Sequence, residues 1–459
     1  MREKMKQKEN PLGYMPLGKL LKNMAIPAII ANIVNALYNI VDQIFIGHYI
    51  GYLGNAATTI AFPITTICLS LGVMIGIGTA ANFNLSLGKK EVYRAEKIVG
   101  SSFLFTIFIG ILLCLLIRFN IDNLLYLFGA TDDIFNYAKE YVSITTYGIP
   151  FYLITLATNP LIRADRSPKY AMFTVLIGAV LNIILDFIFV AILDKGISGA
   201  AIATVLSQIV SAIFVLNYYK HFKSITILKS NFKIKFNLIK DIIYLGMASF
   251  VFQISTTIIQ ITTNNVLKFY GNESIYGSDI PIAVSGIVAK INVIFVAIIL
   301  GIVQGSQPIV SFNYGAKKYL RVRDTYKKVV SYAAVISLIF FTLFQTFPKN
   351  IISIFGSGSE LYFEFGVSYM RYFMLFMFLN GVLIASSTFF SSIGKAQKGV
   401  FITITKQIFI LLPTLILLPK MMGINGIFYA VPTADLFSFF IAITFIYIEF
   451  KKMPNVNEG

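Results

Sequence analysis

Four residues in the first half of this 459-residue chain have the chemistry to hold a proton or a small cation: Asp42, Asn182, Asp186 and Thr204. Asp42 stands in VDQIFIGHYIG (41 to 51), which closes a stretch from Met24 that is otherwise apolar or uncharged. The nearest cation before it is Lys22, and none follows until Lys89. An ionised Asp deep in an apolar helix costs on the order of 3 kcal/mol on insertion scales. Two such acids without a cationic partner should raise each other's pKa, and the pair can hold a proton or a cation at neutral pH. The bland alternative has Asp42 reaching toward the outer interface and Asp186 accepting hydrogen bonds from Asn182 or tyrosines. Helical spacing extends the set. Asn32, Asn35, Asn39 and Asp42 form one stripe, while Thr174, Gly178, Asn182 and Asp186 stand four apart on another. Two such stripes, facing each other, are expected to make an acidic cavity.

A second group of charges lies in apolar runs of the other half: Lys290, Arg371, Lys406 and Asp435. Buried charges need partners, so an internal ion-pair network is expected, with coupling or gating as the sharper alternative. Pro27 removes a backbone hydrogen bond from the inner part of the first helix, which makes it either a static kink or a hinge. Other chemistry is poorly supplied. The two cysteines, Cys68 and Cys114, sit in apolar runs, and His48 and His221 are far apart with no HExxH, GxSxG or Cys/His ligand spacing. Gly88-Lys89 lacks the preceding spacing of a P-loop. Hydrolysis, nucleotide-driven work and a bound cofactor are therefore not expected. The polar start, MREKMKQKEN, has no short apolar core with a cleavage site, so a removed signal peptide is not expected either.

These residues must be positioned by membrane helices. Hydrophobic residues make up 57% of the chain and charged ones 13%, with a mean hydropathy of +0.76, too little polar surface for a soluble protein of this size. Apolar runs long enough to cross a ~30 Å core fall near 20 to 47, 54 to 86, 92 to 118, 134 to 160, 169 to 193 and 197 to 219. A second six fall near 240 to 270, 280 to 312, 325 to 347, 362 to 390, 400 to 419 and 424 to 449. Most of the 38 Lys and Arg lie on one side of this arrangement, including Arg163, Arg166 and Lys169 after the fourth run; only Arg118, Lys195, Lys268, Lys349 and Lys420 lie on the other. The positive-inside rule then puts both termini and the middle loop in the cytoplasm. The net charge of +17 is accounted for by topology and attraction to anionic lipid, without a nucleic-acid partner.

The two sets of six repeat. An offset of 227 superimposes Gly78 on Gly305, Gly88 on Gly315, Phe128-Gly129 on Phe355-Gly356, and Gly196-Ile197-x-Gly199 on Gly423-Ile424-x-Gly426. An even number of helices per half relates the halves by an axis along the membrane normal. The expected organisation is a cytoplasmic tail (1–19), a first lobe (20–220), a cytoplasmic linker (221–239), a second lobe (240–450) and a short tail (451–459). The repeat does not copy the cation set: Asp42 maps to Phe269, Asn182 to Phe409, Asp186 to Pro413 and Thr204 to Val431.

Pro27 with VDQIFIG, LNIILDFIF (181 to 189), GISGAAIAT (196 to 204), TKQIFILLP (405 to 413) and YAVPTADLFS (429 to 438) together resemble the multidrug and toxic compound extrusion (MATE) family, over essentially the whole chain. The resemblance is to its DinF-like branch and, within it, the MepA-like group. It implies an all-α, twelve-helix, two-lobed MATE/MOP fold and a monomeric exporter in a bacterial plasma membrane. Such exporters expel lipophilic, often cationic drug-like compounds in exchange for H⁺ or Na⁺. By motif, the coupling site would be Asp42, Asn182, Asp186 and Thr204, with Asn39 nearby and Pro27 at a bend. Gln253 and Gln260 stand where another branch has an acidic residue, so that branch's second-lobe cation site is not carried over. A lipid-linked precursor flippase of the same superfamily is the alternative; it needs Lys290, Arg371 and Lys406 to face a central cleft.

Overall fold

Helices dominate because nearly every segment is apolar, and backbone N–H and C=O groups in lipid must bond within their own helix. The structure, a computed structural model, describes residues 10–354 and 358–454. The chain runs through α1 (Leu17–Phe45), α2 (Tyr52–Gly88), α3 (Val92–Phe119), the short α4 (Ile121–Leu127), α5 (Asp132–Thr145), α6 (Ile149–Ala164), α7 (Pro168–Asp186) and α8 (Gly196–Tyr218). The segment 219–235 leads to α9 (Phe236–Asn272), α10 (Asp279–Gly315), α11 (Tyr319–Thr346), the short α12 (Pro348–Ser353), α13 (Glu360–Phe373), α14 (Met377–Ser392), α15 (Ala396–Ile404), α16 (Leu412–Met422) and α17 (Asn425–Lys452). There are no strands among the described residues.

Ten helical segments are each long and apolar enough to cross a membrane, and α13 with α14, bent by 44°, makes an eleventh. The expected fourth crossing is α5 and α6, joined by the tight turn Thr146–Gly148. Pro150, in the first turn of α6, cannot donate a helical hydrogen bond, which fits the change of helix type there. The seventh helix begins at Phe236, a turn before the expected linker boundary at 239. Tail residues 1–9 and 455–459 and the Phe355-Gly356 repeat match lie outside the described residues.

The end of the bundle carrying the linker, here the linker end, is where the two halves meet. α1 packs on α10 and α2 on α9, so the first helix of each half crosses the second helix of the other. Glycines permit the approach. A Cβ on Gly305 would lie 2.6 Å from Ala25 Cα, and one on Gly78 would lie 3.1 Å from Gly246 N. Gly88 and Gly315, equivalent under the 227-residue offset, touch each other: a Cβ on Gly88 would lie 2.9 Å from Gly315 Cα, and the reverse is 3.2 Å. Two equivalent positions in mutual contact mark the pseudo-two-fold axis. The residues before α1 also cross to the second half. Leu12 is fully buried in its core, and its carbonyl accepts from Asn313 Nδ2 at 2.8 Å.

The linker is fastened to the first half by Asp165, which caps the end of α6. Its buried carboxylate accepts from Tyr218 Oη (2.7 Å), Lys223 N (2.6 Å) and Ser224 N (2.8 Å). Burial pushes this carboxyl above its ordinary range, while the three donors pull it back.

Candidate cation and substrate site

Asp42 projects from α1 and Asp186 is the last residue of α7, two helices that pack along their length. Their carboxyl groups lie near enough to act on each other electrostatically. Asp186 is fully buried and Asp42 half-buried. Among the described residues no donor reaches Asp42 Oδ1 or either oxygen of Asp186. Asn182, one turn before Asp186, is also buried with both amide atoms unpaired. Buried oxygens without donors are costly, and two carboxylates in contact repel unless a proton or a cation lies between them. Asp42 Oδ1, the Asp186 carboxylate and Asn182 Oδ1 are an oxygen-rich set that suits either one.

Thr204, on α8, is half-buried and lies near Tyr141 of α5. Tyr38 lies one turn before Asp42 on α1. Asn39 itself is exposed and donates to Asn35 O at 2.6 Å, so it is not part of the buried set. Tyr38, four residues before Asp42, could have been found by helical spacing. Nothing local in the sequence points to Tyr141, about a hundred residues from Asp42. The Thr174-Gly178-Asn182-Asp186 stripe faces α8, where Ser211 Oγ donates to Thr174 O at 2.9 Å and packs against Gly178.

Both acids are followed by widened, π-helical turns that the sequence reading did not anticipate: Ile46–Ile50 after α1 and Phe187–Ile192 after α7. Such turns recur at functional sites because the extra residue re-aims the side chains around it. Here they bring Ile46 and Val190 together with Ala200 in a small buried apolar cluster. Each of the three is four residues from a polar member of the set: Asp42, Asp186 and Thr204. One turn beyond the carboxyl pair, on the side away from the linker, the site is therefore closed by hydrocarbon. A third π-helical turn, Thr405–Leu411, carries Lys406.

Between the halves lies a cavity of about 350 Å³, within the range of small-molecule sites. Asn35, Tyr38, Asn182 and Thr204 contribute to its wall from the first half, and Gln253, Gln304 and Lys406 from the second. Asp42 and Asp186 do not line it, and neither does any other Asp or Glu among the described residues. The expected acidic cavity is thus a different object: the acids meet each other behind a wall of amides and hydroxyls. The asparagine stripe of α1 does not face α7 throughout, since Asn32 turns to α10 and donates to Ala297 O at 3.3 Å.

The second-half charges form a pair, not a network. Lys406 Nζ lies 2.7 Å from Asp435 Oδ1 and donates to Asn380 Oδ1 at 2.7 Å. Lys290 and Arg371 are exposed and make no ion pair among the described residues, because their positions on α10 and α13 turn away from the core. Neither lines the cavity, so the arrangement a flippase would need is met by Lys406 alone, and that lysine is already paired. Pro27 is buried in α1, which continues through it as one helix. Arg163, assigned from sequence to a cationic loop, is inside α6, 8% exposed, and lines the cavity.

The family model MatE matches residues 27–188 and 256–416, one segment in each half and well over half of the chain. The chain belongs to the MatE family. The first MatE segment contains Pro27, Asp42, Asn182 and Asp186 and the second contains Lys406, whereas Thr204 and Asp435 lie outside the matched residues. The chain is 23% identical over 449 residues to multidrug export protein MepA of Staphylococcus saprophyticus, covering 96% of each. It superimposes on an outward-facing conformation of a multidrug resistance MATE family transporter of the MOP superfamily with a TM-score of 0.89, at 22% identity, covering 95% of this chain and 96% of that one. A MOP superfamily transporter from Pyrococcus furiosus, described by a reverse polarity of its binding pocket that suggests a different function, superimposes with a TM-score of 0.90 at 21% identity, covering 97% of this chain and 98% of that one. The fold of these transporters is thereby shared over nearly the whole chain.

Proposed function

We propose that this protein is a secondary multidrug exporter of a bacterial plasma membrane, with both termini cytoplasmic, that moves lipophilic drug-like compounds outward in exchange for H⁺ or Na⁺. The single observation that carries the coupling is the pairing of the buried carboxyl of Asp186 with the half-buried one of Asp42 across the α1–α7 packing, with no donor for three of their oxygens. A proton or Na⁺ entering that set, with Asn182 and Thr204 beside it, removes the repulsion and is released when the pair is forced apart. The cavity wall supplies the link, because Asn182 and Thr204 belong both to the cation set and to the surface a substrate would touch. Pro27 gives α1 a weak point at the linker-end contact, where bending would alter the approach of Asp42 to Asp186. In this reading residues 20–220 and 240–450 are the two lobes that rock. An inward elementary charge contributes about 2.3 kcal/mol per 100 mV, enough for more than a tenfold gradient of substrate at ~1.4 kcal/mol per decade.

The test is efflux of a lipophilic fluorescent dye, in zwitterionic and in cationic form, from cells and from proteoliposomes, with the proton and sodium gradients collapsed in turn. Efflux should stop with one of the two gradients and fall at least tenfold in Asp42→Asn and Asp186→Asn at normal expression. Undiminished efflux in both variants would sink the proposal.

A further inference from the structure

The central cavity is lined by two cations and no acids among the described residues. One of the cations, Lys406, is neutralised by Asp435. The other is Arg163. It is 8% exposed, and among the described residues it has no ion pair and one hydrogen bond, to Asn159 Oδ1, four residues earlier on α6. Asn159 is itself held in place by donating to Ala171 O at 2.8 Å and Thr174 Oγ1 at 3.1 Å, so the guanidinium is supported from behind by a fixed amide. A guanidinium has five N–H donors in a planar fork that matches a carboxylate or phosphate, and a cation kept dry without a counter-ion is costly. A buried, oriented and unpaired arginine in a substrate-sized cavity is the form an anion seat takes.

We infer that Arg163 is a seat for the acidic group of an amphiphilic substrate, so that the cavity favours zwitterionic or carboxylate-bearing lipophiles over pure cations. Arg163 lies in the last turn of α6, at the linker end, and thus at the floor of the cavity. An acid seated there leaves the apolar body of the ligand against Leu69, Val73, Phe252 and Leu300. The same charge disfavours a ligand whose only charge is positive, a repulsive element that sharpens selection. This deepens the exporter reading and rests on it for transport, whereas the binding preference stands apart from it.

The test uses full-length protein in phosphatidylcholine nanodiscs and a matched dye pair: rhodamine B, a xanthene cation carrying a free carboxylate, and rhodamine B ethyl ester, in which that negative charge is masked. Fluorescence anisotropy should show rhodamine B binding at least tenfold tighter than the ester. Arg163→Gln should abolish the preference by weakening rhodamine B alone, and Arg163→Lys should keep most of it. Equal affinities in the unaltered protein, no binding of either dye, or an equal loss of both dyes in Arg163→Gln would each overturn the inference. Adding phosphatidylglycerol separates the two sources of an acidic group. Competition with rhodamine B that Arg163→Gln abolishes supports the seat with a lipid phosphate as occupant, and unchanged binding supports it with the dye's carboxylate. Intact discrimination in binding without gradient-driven transport of either dye would overturn the exporter reading and leave the seat standing.

Discussion

Asp42 and Asp186 face each other across the α1–α7 contact with no donor for three of their four carboxyl oxygens, and the hydrocarbon of Ile46, Val190 and Ala200 closes the site one turn away. The pair therefore depends on what lies between the two groups. Whatever neutralises it binds the folded protein and should stabilise it by mass action, by roughly 2.7 kcal/mol at a hundredfold excess over Kd. Melting curves in detergent should rise by a few degrees with either added Na⁺ or acid, which identifies the coupling ion. Asp186→Asn should melt at a temperature insensitive to that ion, and an undiminished response in this variant would remove the pair from the cation site.

Lys406 and Asp435 should behave as a buried pair. Removing one partner leaves an uncompensated charge, about 3–5 kcal/mol, while replacing both with apolar residues is often neutral. Asp435→Asn and Lys406→Met should each lower thermal stability strongly, and the double variant Lys406→Met with Asp435→Leu should recover most of the loss. Additive losses in the double variant would show that the 2.7 Å contact is not a coupled pair.

The Gly88–Gly315 contact at the pseudo-two-fold leaves no room for side chains. Gly88→Ala and Gly315→Ala should each cost about 1–3 kcal/mol through overpacking. Because both open the same contact, the double variant should cost less than the two losses added. A fully additive result, read from urea unfolding followed by circular dichroism, would mean that the two glycines act at separate contacts.

Asp165 holds the start of the linker through two backbone N–H groups and the Tyr218 hydroxyl. Asp165→Ala should leave the dye-binding cavity intact but expose the linker, so that trypsin cuts after Lys220 or Lys223 at least several-fold faster. Unchanged cleavage would show that the linker is held by other contacts, such as Arg166 Nη2 to Lys223 O at 2.9 Å.

The membrane class, the order of the crossings and the two-part repeat were all legible in the sequence, because hydropathy, charge placement and spacing are local quantities. So were the identity of the two acids and their absence from the second half, since apolar neighbours make a carboxylate conspicuous. Only the tertiary structure decided which faces met. The rotation of each helix about its axis is set by close packing with distant segments and by π-helical turns that shift the face by one residue. That is why Asp42 and Asp186 met each other and not the cavity, why Tyr141 joined them, and why Lys290 and Arg371 stayed outside while Lys406 found Asp435. It is also why Arg163, a loop cation when read along the chain, became the unpaired charge at the floor of the cavity.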